Sequence, residues 1–157
     1  MTNQNATPTG ISLKGVEELV HSEGLKLCPY LDSVKIPTIG IGSTFYEDGR
    51  KVTMQDKCLT ESQAMNLAMY TINKIFLPGV LKALKVPQTQ NQIDALVNLV
   101  YNIGVGAFST STVLKRINAK ASKDQIAAAW RMWNKAGGKV IQGLANRRER
   151  EINLYFA

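Results

Sequence analysis

The 157-residue chain has two cysteines, one histidine and no apolar run approaching the length that crosses a bilayer. Two cysteines are too few for a disulfide scaffold, and Cys28 and Cys58 have no zinc-motif spacing. The sequence predicts two reduced, fairly buried thiols. Nothing pairs Cys28 with His21, the single histidine, as nucleophile and base, and His21 reads as structural on the flank of a helix. No metal site and no cofactor is expected. Repeats, low-complexity tracts and flexible linkers are also missing, which leaves one compact domain. Residues 1–10, MTNQNATPTG, contain neither a basic residue nor an apolar core. They read as a flexible tail rather than a signal peptide or membrane anchor. Work outside the cytoplasm would then need another protein to open the way.

Charge of one sign is scarce too: 12 acidic residues face 19 basic ones, a net charge of +7. That suits a polyanion such as nucleic acid, anionic lipid or cell wall, without choosing among them. It is equally compatible with no polyanionic partner. No nucleic-acid motif is visible. The apolar and charged fractions, 45% and 20%, are ordinary for a globular protein. A monomer is expected.

What is present concentrates in residues 23–44, EGLKLCPYLDSVKIPTIGIGST. Ser12 is a good N-cap and Gly24 a good terminator for a helix that ends in Glu23. Leu13, Val16, Leu19 and Val20 share one sector of it, and Glu23 falls inside that sector. The phase predicts a desolvated carboxyl, the setting a general acid uses. A solvated last-turn Glu fits the same position. Pro29 rules out a helix interior for the next segment, which reads as extended chain entering a turn at Asp32. Asp32 there is an ionised carboxylate or simply a turn residue. Thr38 opens a β-like run that brings its hydroxyl back past the turn. Gly40 and Gly42 leave one face of that run bare, for a ligand or for a tight hairpin. Two carboxyls in unlike surroundings are the minimal equipment for splitting a glycosidic bond.

Along the rest of the chain, Asp48-Gly49 is the strongest hairpin signal, within residues 45–52. Capping boxes begin at Thr60, Thr89 and Ser122, each with Gln three residues on. They predict a long helix over about residues 60–84, interrupted at Pro78-Gly79, an apolar helix to about Ile103, and a helix holding Trp130 and Trp133. Both tryptophans read as core, with sugar stacking the rarer alternative. Ser109 to Ser111 can cap a short helix through Ile117. Gly137-Gly138 breaks the chain before a last helix from about Leu144. Its Arg147, Arg148 and Arg150 alternate with Glu149 and Glu151, which predicts a solvated face packed back on the domain rather than a membrane-binding one.

The pattern E-G-x5-Y-x-D-x5-T-x-G-x-G, on Glu23, Gly24, Tyr30, Asp32, Thr38, Gly40 and Gly42, resembles the catalytic signature of the phage-type lysozymes, glycoside hydrolase family 24. Further blocks resemble the same family: Val86-Pro87 with Gln90-Asn91-Gln92 and Asp94-Ala95-Leu96, then Tyr101-Asn102-Ile103-Gly104, then residues 133–138, WNKAGG, followed by Gly143-Leu144, Arg147-Arg148 and Glu151. The likeness runs from about Ile11 to the end. It departs at Lys35, where many members have Gly, and at Ser43, where many have His.

The resemblance implies an α+β, mostly helical, lysozyme-like fold in two lobes. The small lobe would cover about residues 11–59 and the helical lobe about residues 85–157, with the long helix joining them. It implies a muramidase that hydrolyses the glycan strand of bacterial peptidoglycan. Glu23 would be the acid, Asp32 its carboxylate partner, and Thr38 a holder of the attacking water, with inversion at the anomeric carbon. Tyr101 and Ser111 match positions that line the family's cleft. It further implies an enzyme made in a host cytoplasm that reaches the wall through a lesion made by another protein. A lytic transglycosylase, a catalytically inactive wall-binding module and a basic nucleic-acid binder are the rival readings.

Overall fold

A computed structural model describes residues 6–157. Helix α1 (Leu13–Glu23) is followed by an antiparallel hairpin of β1 (Lys26–Leu31) and β2 (Pro37–Gly40). The Asp48-Gly49 turn forms, and its flanks pair through the isolated Phe45–Lys51 bridge, with backbone bonds from Tyr46 to Arg50 and from Val52 to Thr44. The capping box at Thr60 starts α2 (Glu61–Thr71), a π-helical turn spans Ile72–Phe76, and α3 (Leu77–Ala83) continues the same rod. Sequence places the interruption at Pro78; the structure places it just before. Pro78 sits in the first turn of α3, where its missing N–H costs nothing, and the π turn absorbs the mismatch one turn earlier.

The helical lobe holds α4 (Gln90–Ile103), α5 (Val105–Ser109), α6 (Thr112–Asn118), α7 (Lys123–Arg131) and α8 (Gln142–Tyr155). The capping boxes at Thr89 and Ser122 form as the sequence predicts. Between α7 and α8 the chain makes a small hairpin of β3 (Lys135–Ala136) and β4 (Lys139–Val140). Gly137 and Gly138 both have positive φ, 58° and 78°, which is the backbone a two-residue hairpin turn demands.

Two hydrophobic cores stand side by side. The larger one gathers around α4, buried along Ile93–Val100, with α1, α3, α5, α6, α7 and α8 packed on it. The smaller one is made by Ile39, Tyr46, Val52 and Leu67. Consecutive residues of α2 belong to different cores: Leu67 to the small one, Ala68 to the large one. The linking rod is therefore shared between the lobes.

Three expectations change. Cys28 and Cys58 are not free thiols but a disulfide, with both residues at the surface. The bridge ties β1 to the loop before α2, alongside the backbone bond from Leu59 to Leu27. The expected tail is tied down from Thr7, which accepts from the Gln88 N–H at 3.0 Å, to Gly10, whose carbonyl accepts from Gln90; residues 1–5 of that tail lie outside the described residues. His21 is exposed rather than packed, and so is Leu13, so the buried face of α1 is Gly15, Val16 and Leu19. Among the described residues, no helix is long and apolar enough to cross a membrane.

Candidate active site

Glu23 is the last residue of α1, which Ser12 caps at one end and Gly24, at φ 79°, closes at the other. It lies on the face that holds Val16 and Leu19, as the helical phase requires. That face does not bury it among apolar groups. The side chain is 29% exposed, and its Oε1 accepts from Arg147 Nη1 at 2.5 Å. The desolvated carboxyl predicted from the phase is thus corrected to an ion pair at the edge of the core.

Arg147 comes from α8 and is itself only 7% exposed. Its Nε donates to Glu151 Oε2 at 3.1 Å and its Nη2 to the Asn98 carbonyl at 3.0 Å. Glu151 also accepts from Arg148 Nη2 at 3.1 Å and from Trp130 Nε1 at 3.0 Å, and Arg148 reaches Asn102 Oδ1 at 2.9 Å. Burial pushes the Glu151 carboxyl up in pKa, while the two guanidiniums oppose that shift. The expected solvated basic face of α8 is therefore corrected: Arg147 and Arg148 are buried. Their alternation with Glu149 and Glu151 looked like surface charge. At helical spacing, Arg147, Arg148 and Glu151 instead share one inward face. Trp130 is core, as predicted.

Asp32 sits in the tight turn between β1 and β2. Its Oδ1 accepts from the backbone N–H groups of Val34 and Ile36, both at 2.9 Å, and no hydrogen bond to Oδ2 is made among the described residues. Lys35 adopts φ 67°, the left-handed backbone that favours Gly, so the turn survives the departure from the family's glycine at a local strain of about 1–2 kcal/mol. Thr38 pairs with Tyr30 across the hairpin, and the Ile36 carbonyl accepts from the Asp32 N–H. Tyr30, Asp32 and Thr38 consequently share one face, with Thr38 diagonal to Asp32. The Thr38 side chain is buried, and its Oγ1 donates to the same Ile36 carbonyl at 2.8 Å. Its proton is spent there, leaving the oxygen as an acceptor.

Two tyrosines connect these groups. Burial first, then the charges of Asp32 and Glu23, push the Tyr30 hydroxyl up. Burial and Glu23 do the same to Tyr101, on α4. A Cβ built on Gly42 would stand 2.5 Å from the Tyr101 hydroxyl, and Gly42 has φ 83°, so the glycine serves both backbone and close approach. Tyr101 therefore stands in one cluster with Gly42 and Glu23. Ser111 does not: it is buried, donates to the Phe108 carbonyl at 2.7 Å and caps α6 through the Leu114 N–H. Its hydroxyl proton is committed within the fold and the side chain is turned inward. Ser43, where the family often has His, is buried and hydrogen-bonds Thr71 of α2 at 2.8 Å. That hydrogen bond adds to the packing of Leu67 in joining the small lobe to the linking rod. No cluster of metal-ligating side chains occurs among the described residues.

Residues 20–151 match the family described as Phage lysozyme. The endolysin of Salmonella phage P22 is 37% identical over 147 residues, covering 94% of this chain and 98% of that protein. The endolysin of Bacillus phage PZA is 41% identical, covering 92% of this chain but 54% of that longer protein, so the chain spans about half of it. Among solved structures, a point mutant of P22 lysozyme superposes with a TM-score of 0.84 at 36% identity, covering 94% of this chain and 99% of the other. The muramidase domain of SpmX from Asticaccaulis excentricus gives 0.75 at 32% identity, with 94% and 97% covered. The fold is lysozyme-like, and the chain belongs to the phage lysozyme family of hydrolases.

Proposed function

We propose that the protein is an endo-acting muramidase, hydrolysing the β-1,4 bond between N-acetylmuramic acid and N-acetylglucosamine in peptidoglycan with inversion. The observation that supports this best is the pair of carboxyls at Glu23, on the end of α1, and Asp32, in the hairpin turn that follows, each held through one oxygen. Arg147 fixes Oε1 of Glu23; the acid form of that carboxyl, with its proton on Oε2, delivers the proton to the glycosidic oxygen as the bond to the anomeric carbon breaks. Asp32 Oδ2 accepts one proton of a water and Thr38 Oγ1 accepts a hydrogen bond from the other. The water's lone pair attacks the anomeric carbon from the face opposite the leaving sugar. Its proton passes to Asp32, so the two carboxyls have exchanged protonation states at the end of the turnover.

A nucleophilic Asp would need no second acceptor for water, and an enzyme using the sugar's own hydroxyl would need no second carboxylate. Sugar analysis of digested peptidoglycan tests the reading. Reducing ends with the inverted α-anomer formed first are expected. Anhydro ends would mean a transglycosylase, a β-anomer formed first would mean retention, and binding without release would mean a wall-binding module.

A further inference from the structure

The loop from Asp32 to Ile36 is closed on itself. The Asp32 N–H donates to the Ile36 carbonyl and the Lys35 N–H to the Asp32 carbonyl, both at 3.0 Å. This is a three-residue hairpin loop, the form whose last position is left-handed and favours Gly. Lys35 holds that position, at φ 67°. A lysine there carries a strain that glycine would not, and backbone strain kept at the rim of a site points to a task for the side chain. The side chain is exposed, and its ammonium makes no ion pair among the described residues. Lys26, the other cation of the hairpin, is engaged instead, with Nζ 4.3 Å from the centre of the Tyr30 ring. Val34 and Ile36, on either side of Lys35 in the chain, are 69% and 46% exposed. A cation thus stands between two exposed apolar side chains, in the loop whose N–H groups hold the Asp32 carboxylate.

We infer that Lys35 determines specificity for the peptide stem of the substrate, pairing with the stem carboxylate nearest the glycan. The inference rests on the glycan-cleaving reading. The carbon attacked in that reaction is C1 of the N-acetylmuramic acid, beside the water that Asp32 holds. Across the same ring, C3 carries a lactyl ether and then the stem: an alanine, followed by a γ-linked D-glutamate whose α-carboxylate is free. The stem therefore starts within a ring's width of Asp32. Lys35 is tied to Asp32 through the backbone, and its flexible four-carbon chain lets the ammonium sweep the space around that turn. The lactyl and alanine methyls meet Val34 and Ile36, and the carboxylate meets the ammonium. Opposite charge and matching apolar groups are what an anionic peptide presents here. With glycine at this position the loop would hold Asp32 equally well, so the charge adds selectivity rather than catalysis.

The test uses soluble peptidoglycan strands whose stems carry either the free D-glutamate α-carboxylate or its amide. The unaltered protein should prefer the carboxylate stem about 2- to 5-fold in kcat/KM, the factor an exposed ion pair supplies. Remote binding that does not change at the transition state acts on KM, so the preference should lie there and not in kcat. Lys35→Gln keeps length and backbone, removes the charge and should hydrolyse both strands with equal kcat/KM. Lys35→Arg should keep the preference. Lys35→Gly should lose it while the melting temperature rises, which separates a lost contact from a damaged fold. Equal hydrolysis of both stems by the unaltered protein, or a preference that survives Lys35→Gln, would overturn the contact. Binding to phosphatidylglycerol vesicles that Lys35→Gln abolishes, without any stem preference, would overturn it in favour of a lipid-docking loop. Absence of hydrolysis of either strand by the unaltered protein would overturn the glycan-cleaving reading and the contact with it; hydrolysis blind to the stem charge sinks the contact alone.

Discussion

Arg147 Nη1 lies 2.5 Å from Glu23 Oε1, although the two residues are 124 positions apart in the chain. The contact joins the end of α1 to α8, and Arg147 is clamped on its other side by Glu151 and the Asn98 carbonyl. The proposed acid is therefore aimed by a buried guanidinium of the helical lobe. Arg147 acts through Glu23 and is a positioning residue.

Arg147→Lys keeps the charge but loses the planar fork that reaches three partners at once. A misplacement of about 1 Å at a reacting group costs on the order of 100-fold. The variant should lower kcat about 10- to 100-fold with KM nearly unchanged and a displaced pH–rate profile. Arg147→Met should also lower stability by about 3–5 kcal/mol, since it strips a partner from the buried Glu151. Denaturant unfolding and steady-state kinetics check the two effects separately, and a kcat equal to wild type in Arg147→Lys would remove the positioning role.

Gly42 sits beneath the Tyr101 hydroxyl at φ 83°. Gly42→Ala should therefore suffer twice, from about 1–2 kcal/mol of left-handed strain and from a Cβ 2.5 Å from the phenol oxygen. Activity should fall about 10- to 100-fold. Adding Tyr101→Phe removes the clashing oxygen and should restore part of the lost rate, leaving the backbone strain. No rescue in the double variant would show that the contact is not the cause.

These relationships also mark what could be read from the chain. The three capping boxes are local, three residues wide, and formed where the sequence puts them. The turn at Asp32 and the return of Thr38 past it follow from Pro29 and the glycine run, and the strand register sets Thr38 diagonal to Asp32. The ion pair of Glu23 was invisible because its partner is non-local and hidden in a helix whose charges alternate like a surface. The disulfide was missed because two cysteines set no framework; only the fold brings β1 beside the loop before α2. Gly137-Gly138 reads in sequence as a helix break; the hairpin that the two glycines turn between β3 and β4 shows only in the structure.

The Cys28–Cys58 bridge closes a segment of 30 residues that contains Asp32, Thr38 and Gly42. Both cysteines are at the surface, so a small thiol reductant reaches them. Reduction, or a Cys28→Ser/Cys58→Ser double variant, should cost about 3–4 kcal/mol of stability by the loop-closure argument. The melting temperature should drop by roughly 10 °C. Calorimetry with and without reductant measures it, and an unchanged melting temperature would show the bridge to be dispensable.

Asp56 holds the loop beside that bridge. The Thr53 backbone N–H, the Tyr46 hydroxyl and the Thr53 hydroxyl bring its carboxyl down from 3.8 to about 2. A depressed carboxylate stabilises the fold fully above its unfolded value and loses that stabilisation as pH falls through the folded one. The contribution should thus be complete above about pH 4 and vanish towards pH 2. Asp56→Asn should be less stable than wild type at neutral pH and should show a shallower loss between about pH 4 and 2. Parallel acid-unfolding curves for the two proteins would refute the assignment.

Thr38 tests the chemistry most directly. Its hydroxyl proton is committed to the Ile36 carbonyl, so towards the cleft the oxygen can only accept. Asp32 is equally committed on one side: two backbone N–H groups hold Oδ1 and orient the carboxylate. A water between Asp32 Oδ2 and Thr38 Oγ1 then has both protons directed at the protein and a lone pair directed at the sugar. Thr38→Val keeps the shape and removes the acceptor, so the water loses one of its two anchors. Because that contact orients the nucleophile and touches no part of the bound glycan, kcat should fall on the order of 100-fold while glycan affinity stays near wild type. Thr38→Ser retains the oxygen and should recover most of the rate. Val also leaves the Ile36 carbonyl with only the Asp32 N–H, at a stability cost of about 1 kcal/mol that unfolding measurements can subtract. If Thr38→Val hydrolyses as fast as wild type, the attacking water is not held there. If it loses activity and Thr38→Ser does too, the defect lies in packing, and the hydroxyl has no part in the reaction.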